Sequence, residues 1–440
     1  MAAGSRQFDV AERPDEPHRL IPVGMVFPFI LVTTLFFLWG IPNNLNDVLI
    51  RQFMKSFSLT RLQAGLVQSA FYLGYFVLAT PAALLMRRFG YKIGFVIGLL
   101  LFGAGAFLFW PAAIIGRYEF FLAALFVIAS GLSFLETASN PFVAQLGDPA
   151  SAARRLNFAQ AFNPLGAISG ALIGTLFIFS GIELTSTQAD AMRAANTYNA
   201  YLKTETMRVV APYLIIGAFA VCWAILIALT KFPKVSGEHT HAGEEHGSFR
   251  ELLGYPNFLF AVLAQFMYVG AQVGTWSYFI QYVQEATHKP EKVAGYLLTG
   301  TLVAFGIGRF ASSAIMKVVR PNVLMAGYAL INIGLVLIAV LFPGWVGLWS
   351  IFLTSFFMSV MFPTIFALGI EGLGRNTKIA GSSIVMSIVG GAILTPVMGW
   401  ISQVSHRISV AYVVPLICYC FVAAYSLAWN RLRGNSAVAL

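Results

Sequence analysis

Residues 231–253 read KFPKVSGEHTHAGEEHGSFRELL, a polar stretch set between long apolar runs. Six such runs precede it, at about 24–50, 62–86, 92–112, 119–146, 156–180 and 209–230. Six more follow, at about 257–284, 293–316, 322–342, 346–370, 379–403 and 410–430. Each is long enough for a helix of roughly 20 residues to cross a bilayer. The stretch is therefore the connector of an all-α membrane protein of twelve transmembrane helices in two six-helix bundles. The expected divisions are a tail at 1–22, a first bundle at 23–231, a loop at 232–251, a second bundle at 252–432 and a tail at 433–440.

Composition leads to the same place. Of 440 residues 58% are hydrophobic and 10% charged, against roughly 25% charged in ordinary soluble domains. A mean hydropathy of +0.76 and 39 phenylalanines exceed what a soluble core of this size can hide, so lipid must cover the remainder. The net charge of +10 sits in the gaps between apolar runs, which argues for loop charge that orients the chain and against nucleic acid. With the N-terminus inside, 17 of the 28 Lys and Arg fall on inner segments and 10 on outer ones. The positive-inside rule then places both termini in the cytoplasm. Cys222, Cys418 and Cys420 fall within apolar runs, as buried thiols would, without the spacing of a disulfide framework or metal knuckle. Residues 1–20 carry four acids and no apolar core, unlike a cleaved signal peptide, so the first helix is expected to stay in the mature protein.

The halves repeat one another. NPFVAQLG (140–147) aligns with FPTIFALG (362–369), Pro141 meeting Pro363. Phe36 to Asp47 aligns with Phe266 to Ser277 at an offset of 230, with Phe36 and Gly40 matched by Phe266 and Gly270. Gly74 to Arg87 resembles Ala304 to Lys317 in length and terminal cation. Three matches in one order at a nearly constant offset point to duplication.

Charge inside an apolar span costs on the order of 2.5 to 3.5 kcal/mol, so such residues mark function. Asp47, Glu136 and Arg309 qualify. Glu136 lies well inside the fourth run with no Lys or Arg between Arg117 and Arg154; a carboxyl in such surroundings favours its neutral form and suits loading and release of a proton. A neutral Glu bonded to a neighbouring helix is the structural alternative. Asp47 closes LWGIPNNLNDVL, where Asn43, Asn44 and Asn46 crowd behind Pro42. Pro42 lacks a backbone donor and is expected to break the helix, letting polar side chains face a water-filled cavity; an interfacial Asp47 is the alternative. In the repeat Asp47 corresponds to Ser277 and Glu136 to Met358, which confines the carboxylates to the first half. Arg309 is read as a structural or gating residue that snorkels or pairs with a carboxylate.

Gln160 and Asn163 lie one turn apart on one face, with Asn157 a turn earlier. Amides both donate and accept, which suits a hydroxyl-rich cargo as well as helix-to-helix bonding. Trp39, Tyr75, Trp276 and Tyr278 are candidates to stack sugar faces, or to pack. His239, His241 and His246 lack the context of a zinc site and read as linker. Glycines in the fifth and eleventh runs permit close helix approach. No Walker loop, HExxH pair or GxSxG elbow is present in the sequence, so neither ATP-driven nor simple hydrolytic chemistry finds support, and no metal or cofactor is expected.

FFLWGIPNNLNDVLIRQF, LQAGLVQSAFYLGYFVLATPAALLMRRFGYKIG, LETASNPFVAQLG, RLNFAQAFNPLGA, VLAQFMYVGAQVGTWSYFIQY, YLLTGTLVAFGIGRF, FPTIFALGIEGLG and GGAILTPVMG resemble the fucose/galactose/glucose:proton symporters of the major facilitator superfamily, nearest to the L-fucose branch, over essentially all twelve spans. The resemblance implies alternating access and import of a neutral monosaccharide with a proton; the chain is read as a bacterial inner-membrane importer for which a monomer suffices. The resemblance also implies that Asp47 and Glu136 couple protons, and that Asn44, Glu136, Gln160, Asn163, Trp39 and Trp276 meet the sugar. NNLND and LETASNP favour the fucose branch, since the glucose/galactose branch tends to WLNG and LQTASNP. One departure bears on cargo: similar fucose permeases have Gln-Tyr before PTIF, where this chain has Met361 and Phe362. A drug/proton antiporter of the same fold and a non-transporting sugar sensor are the competing readings.

Overall fold

The computed structural model describes residues 21, 23–146, 152–232, 249–316, 318–373 and 376–437. Twelve helices in it are long and apolar enough to span a membrane. In chain order they are α1 (Val26–Ser56), α2 (Arg61–Met86), α3 (Tyr91–Ile115), α4 (Tyr118–Gln145), α5 (Phe158–Ile178), α6 (Tyr198–Leu229), α7 (Pro256–Ser277), α8 (Glu291–Ile315), α9 (Pro321–Leu341), α10 (Trp345–Ile370), α11 (Ile379–Ser405) and α12 (Ile408–Leu432). Local chemistry sets several boundaries. Thr60 and Gln63 form a reciprocal capping box at the start of α2. Gly90, at φ +82°, turns α2 into α3 where an L side chain would be strained. Pro256 and Pro321 open α7 and α9 at the position where a missing N–H costs nothing.

The packing repeats with a period of six helices. In the first half α2 and α3 lie on α4, α1 on α5 and α3 on α6; in the second α8 and α9 lie on α10, α7 on α11 and α9 on α12. Between the halves α2 meets α11 and α5 meets α8. A shift of six helices exchanges these two contacts, so the halves are related by an approximate two-fold axis, as the sequence repeat requires. Matching glycines make it possible. A Cβ on Gly166 would strike the backbone of Phe37 and Gly40, and one on Gly390 would strike the backbone of Phe266. Side chains such as Phe177, Ile215, Leu229 and Ile417 point outward from the bundle, the arrangement that a lipid solvent requires.

Several expectations change. Pro42 does not break α1, which runs unbroken from Val26 to Ser56; Gly166 and Gly170 of α5 abut the backbone beside it and hold the helix in place. The apolar run at 257–284 is two helices, because α7 ends at Ser277 and a separate helix follows at Phe279–Thr287. α6 begins well before its apolar run, with the polar turns Tyr198–Met207. Cys418 is buried, but Cys222 and Cys420 are exposed on the outside of the bundle, where lipid accepts a thiol as readily as a core does. The three histidines of the connector lie outside the described residues, as does the side chain of Asn157.

Candidate functional site

A cavity of about 570 Å³ lies between the halves, within the usual range for small-molecule sites. Helical periodicity builds its walls. Trp39, Asn43 and Asp47 recur at four-residue steps along one face of α1, with Asn44 beside them; Gln68, Tyr72 and Tyr75 on α2, Glu136 and Asn140 on α4, and Gln160 and Asn163 on α5 recur at steps of three or four. The second half supplies Gln272 and Trp276 from α7, Phe305 and Arg309 from α8, and Phe362 from α10. The seven residues expected to couple protons or meet the sugar, Trp39, Asn44, Asp47, Glu136, Gln160, Asn163 and Trp276, line this one space, as do Tyr75 and Arg309.

Hydrogen bonds orient the amides. Gln160 Nε2 donates to Asn140 Oδ1 at 3.1 Å, and Asn140 Nδ2 donates to the Glu136 carbonyl at 3.2 Å. Asn163 Nδ2 donates to the Phe36 carbonyl at 3.3 Å. Asn43 and Asn44 each keep a buried side-chain oxygen with no protein donor. The indole N–H of Trp276 is satisfied by Ser355 Oγ at 3.0 Å, so this residue offers its ring, which meets Phe305 edge-on at 5.1 Å. Trp39 packs against Phe36 with ring centroids 4.4 Å apart.

Asp47 is 3% exposed. Its Oδ1 accepts from Gln68 Nε2 at 2.9 Å and from Ser277 Oγ at 3.0 Å. Arg309 pairs with no carboxylate among the described residues. Its guanidinium lies 5.2 Å from the Phe305 ring centroid and its Nε has no protein acceptor. It lines the cavity from the second half, one turn after Phe305 on α8. Of the two departures in the tenth span only Phe362 lines the cavity; Met361 is fully buried in packing. Tyr278 does not reach the cavity either. Its hydroxyl donates to the Arg61 carbonyl at 2.8 Å, and burial pushes its phenol above the usual range, so it stays a donor.

That contact belongs to a closure at the end of the bundle where α1 finishes. Lys55 Nζ lies 2.9 Å from both Glu205 Oε2 in its own half and Glu291 Oε1 across the divide. Arg61 reaches Glu285 at 2.7 Å and Ser402 at 2.5 Å. Glu183 accepts from the Glu291 backbone N–H at 3.0 Å and from Gln284. The cavity lining runs the other way, to Met316 and Pro321 at the end where α1 starts. Sequence reading counts Lys55 and Arg61 as loop cations, since their carboxylate partners lie 150 residues or more away. Gln68, Tyr72, Asn140 and Gln272 were also missed, although a polar residue every turn on an apolar helix is a signal for a lined cavity.

The sequence model of the Major Facilitator Superfamily matches residues 23–394. The chain is 45% identical to an L-fucose-proton symporter of Escherichia coli (strain K12) over 94% of each protein. It is 34% identical to the L-fucose-proton symporter of Haemophilus influenzae over 93% of this chain and 98% of that one. A glucose/galactose transporter of Brucella abortus shares 34% identity over 92% of this chain and 94% of its own. Among solved structures, a Major Facilitator Superfamily transporter, FucP, in the outward conformation superposes with a TM-score of 0.69 at 44% identity, covering 92% of this chain and 99% of that one.

Proposed function

Because the chain belongs to the Major Facilitator Superfamily, we propose that it is a proton-coupled secondary transporter importing a neutral monosaccharide, L-fucose or a related hexose or pentose, by alternating access. The observation that carries this reading is one cavity in which two carboxyls, seven amides and two indoles meet. Asn44, Gln160 and Asn163 serve hydroxyls, because amides give and take hydrogen bonds. Trp39 and Trp276 cover the C–H faces of the ring. Glu136 meets the sugar and, with Asp47, carries the proton.

Both termini are assigned to the cytoplasm on the Lys and Arg distribution, in a bacterial inner membrane. The closed end of the bundle is then the outer one and the cavity addresses the cytoplasm. In the opposite state the outer ion pairs part, a proton from outside loads the Asp47 and Glu136 system, and sugar binds between the halves. Closure over both ligands, followed by opening inward, delivers them together. Bundles at 23–231 and 252–432, joined by the cytoplasmic loop 232–251 and flanked by tails at 1–22 and 433–440, move as the two bodies of this cycle. A monomer in lipid suffices, with the proton gradient as the energy source and no cofactor.

The test is uptake of labelled L-fucose by purified protein in proteoliposomes, with and without an inward proton gradient, competed by galactose, glucose and arabinose. Gradient-dependent accumulation blocked best by fucose is the expected result. Better competition by another sugar changes the cargo, and absence of flux from folded protein refutes the reading.

A further inference from the structure

Asp47 and Ser277, which occupy equivalent positions of the two repeats at the offset of 230, touch each other in the structure. Ser277 Oγ donates to Asp47 Oδ1 at 3.0 Å, and Gln68 Nε2 bridges the pair, 2.9 Å from each. All three side chains are at most 3% exposed. Asp47 and Gln68 belong to the first half and Ser277 to the second, so the triangle exists only while the halves are together here. Ser277 is the last residue of α7, and Tyr278 after it holds the Arg61 carbonyl in the outer closure. The Ser277 contact with Asp47 and the Tyr278 contact of the outer closure are thus made by consecutive residues of one chain segment.

Resting on the transport cycle above, we propose that Ser277 is a positioning residue for proton coupling: its hydroxyl reaches Asp47 only on outer closure, and this contact makes release of the proton follow closure. A hydroxyl donates more strongly to a carboxylate than to a protonated carboxyl. Before closure Asp47 lacks this donor and keeps the proton taken from outside. After closure the Asp47 O–H bond breaks, the proton passes to water on the inner side of the cavity, and the carboxylate stays behind, held by Ser277 and Gln68. The other titratable or charged groups sharing the cavity are Tyr72 and Tyr75 on α2, Glu136 on α4 and Arg309 on α8; none donates a hydrogen bond to Asp47 among the described residues. Ser277 has no place in the cavity wall, which separates this role from sugar contact.

The experiment compares two fluxes of labelled L-fucose in proteoliposomes: accumulation driven by a proton gradient, which needs release of the proton in every cycle, and counterflow, which exchanges sugar without it. The ratio of accumulation to counterflow should fall about tenfold in Ser277→Ala, the effect of one hydrogen bond to a charged group, and stay near wild type in Ser277→Thr, which keeps the hydroxyl. An unchanged ratio in Ser277→Ala, or an equal fall in Ser277→Thr, overturns the proposal, since a merely structural lesion lowers both fluxes alike. Should Ser277→Ala fail to fold, Ser277→Cys, which keeps the size of the side chain but offers only a weak donor, is read by the same ratio and decides in the same way. Wild-type protein that shows neither flux refutes the transport reading itself, whereas active wild type with an unmoved ratio refutes this inference alone.

Discussion

Glu291→Gln should release the outer closure. Lys55 Nζ sits 2.9 Å from Glu291 Oε1, with the side chains 9% and 0% exposed, so solvent screens the pair little. Removing one partner of a buried pair costs about 3–5 kcal/mol. Here Lys55 keeps Glu205 at 2.9 Å within its own half, and glutamine retains a carbonyl acceptor, which brings the expected cost of the closed state to ~2 kcal/mol. That is about a thirtyfold shift toward the outward-open state. The assay places spin labels at Glu119 and Lys289, exposed positions at the outer ends of the two halves, in a background where Cys222, Cys418 and Cys420 are replaced. Double electron-electron resonance should show the inter-half distance distribution moving to longer values in Glu291→Gln, with slower proton-driven uptake. An unchanged distribution refutes the claim that this ion pair holds the closure.

Glu136→Gln should abolish accumulation of sugar against a gradient; accumulation at wild-type levels would remove Glu136 from the coupling mechanism. Asn163→Ala and Gln160→Ala should each weaken L-fucose binding about tenfold, the loss of roughly one good hydrogen bond, as measured by isothermal titration. Gly166→Val and its counterpart Gly390→Val should each lower thermal stability by about 1–3 kcal/mol, because a side chain at either site meets backbone that has no room to move; a melting scan of the detergent-solubilised protein reads this. Phe362→Tyr returns a hydroxyl to the cavity wall and should change the preference for L-fucose over arabinose by about threefold or more, whereas Met361→Gln, buried away from the cavity, should act on folding and not on preference.

Much of this molecule is written in its one-dimensional pattern. The bilayer forces each span to satisfy its own backbone, so twelve apolar runs mean twelve helices, and the offset that pairs Phe36 with Phe266 already implies two related halves. Asp47 and Glu136 stand out because charge is expensive in lipid, and Gln160 and Asn163 because their spacing places them on one face. What lay beyond that reading depends on contacts between residues far apart in the chain. Pro42 keeps its helix because α5 supports it from outside. Lys55 is an interfacial cation in sequence and a bridge between Glu205 and Glu291 in space. The neighbours of Arg309 in sequence place it in the membrane, but only the packing of α8 against α5 and α10 shows that it faces the cavity. Ser277 is an ordinary serine at the end of a helix until the approximate two-fold axis sets it against its own repeat partner, Asp47. Sequence determined the elements, their number and the charges they bury, because those follow from local chemistry and the solvent. Tertiary structure decided which of those charges meet, because meeting depends on how two halves of one chain close on each other.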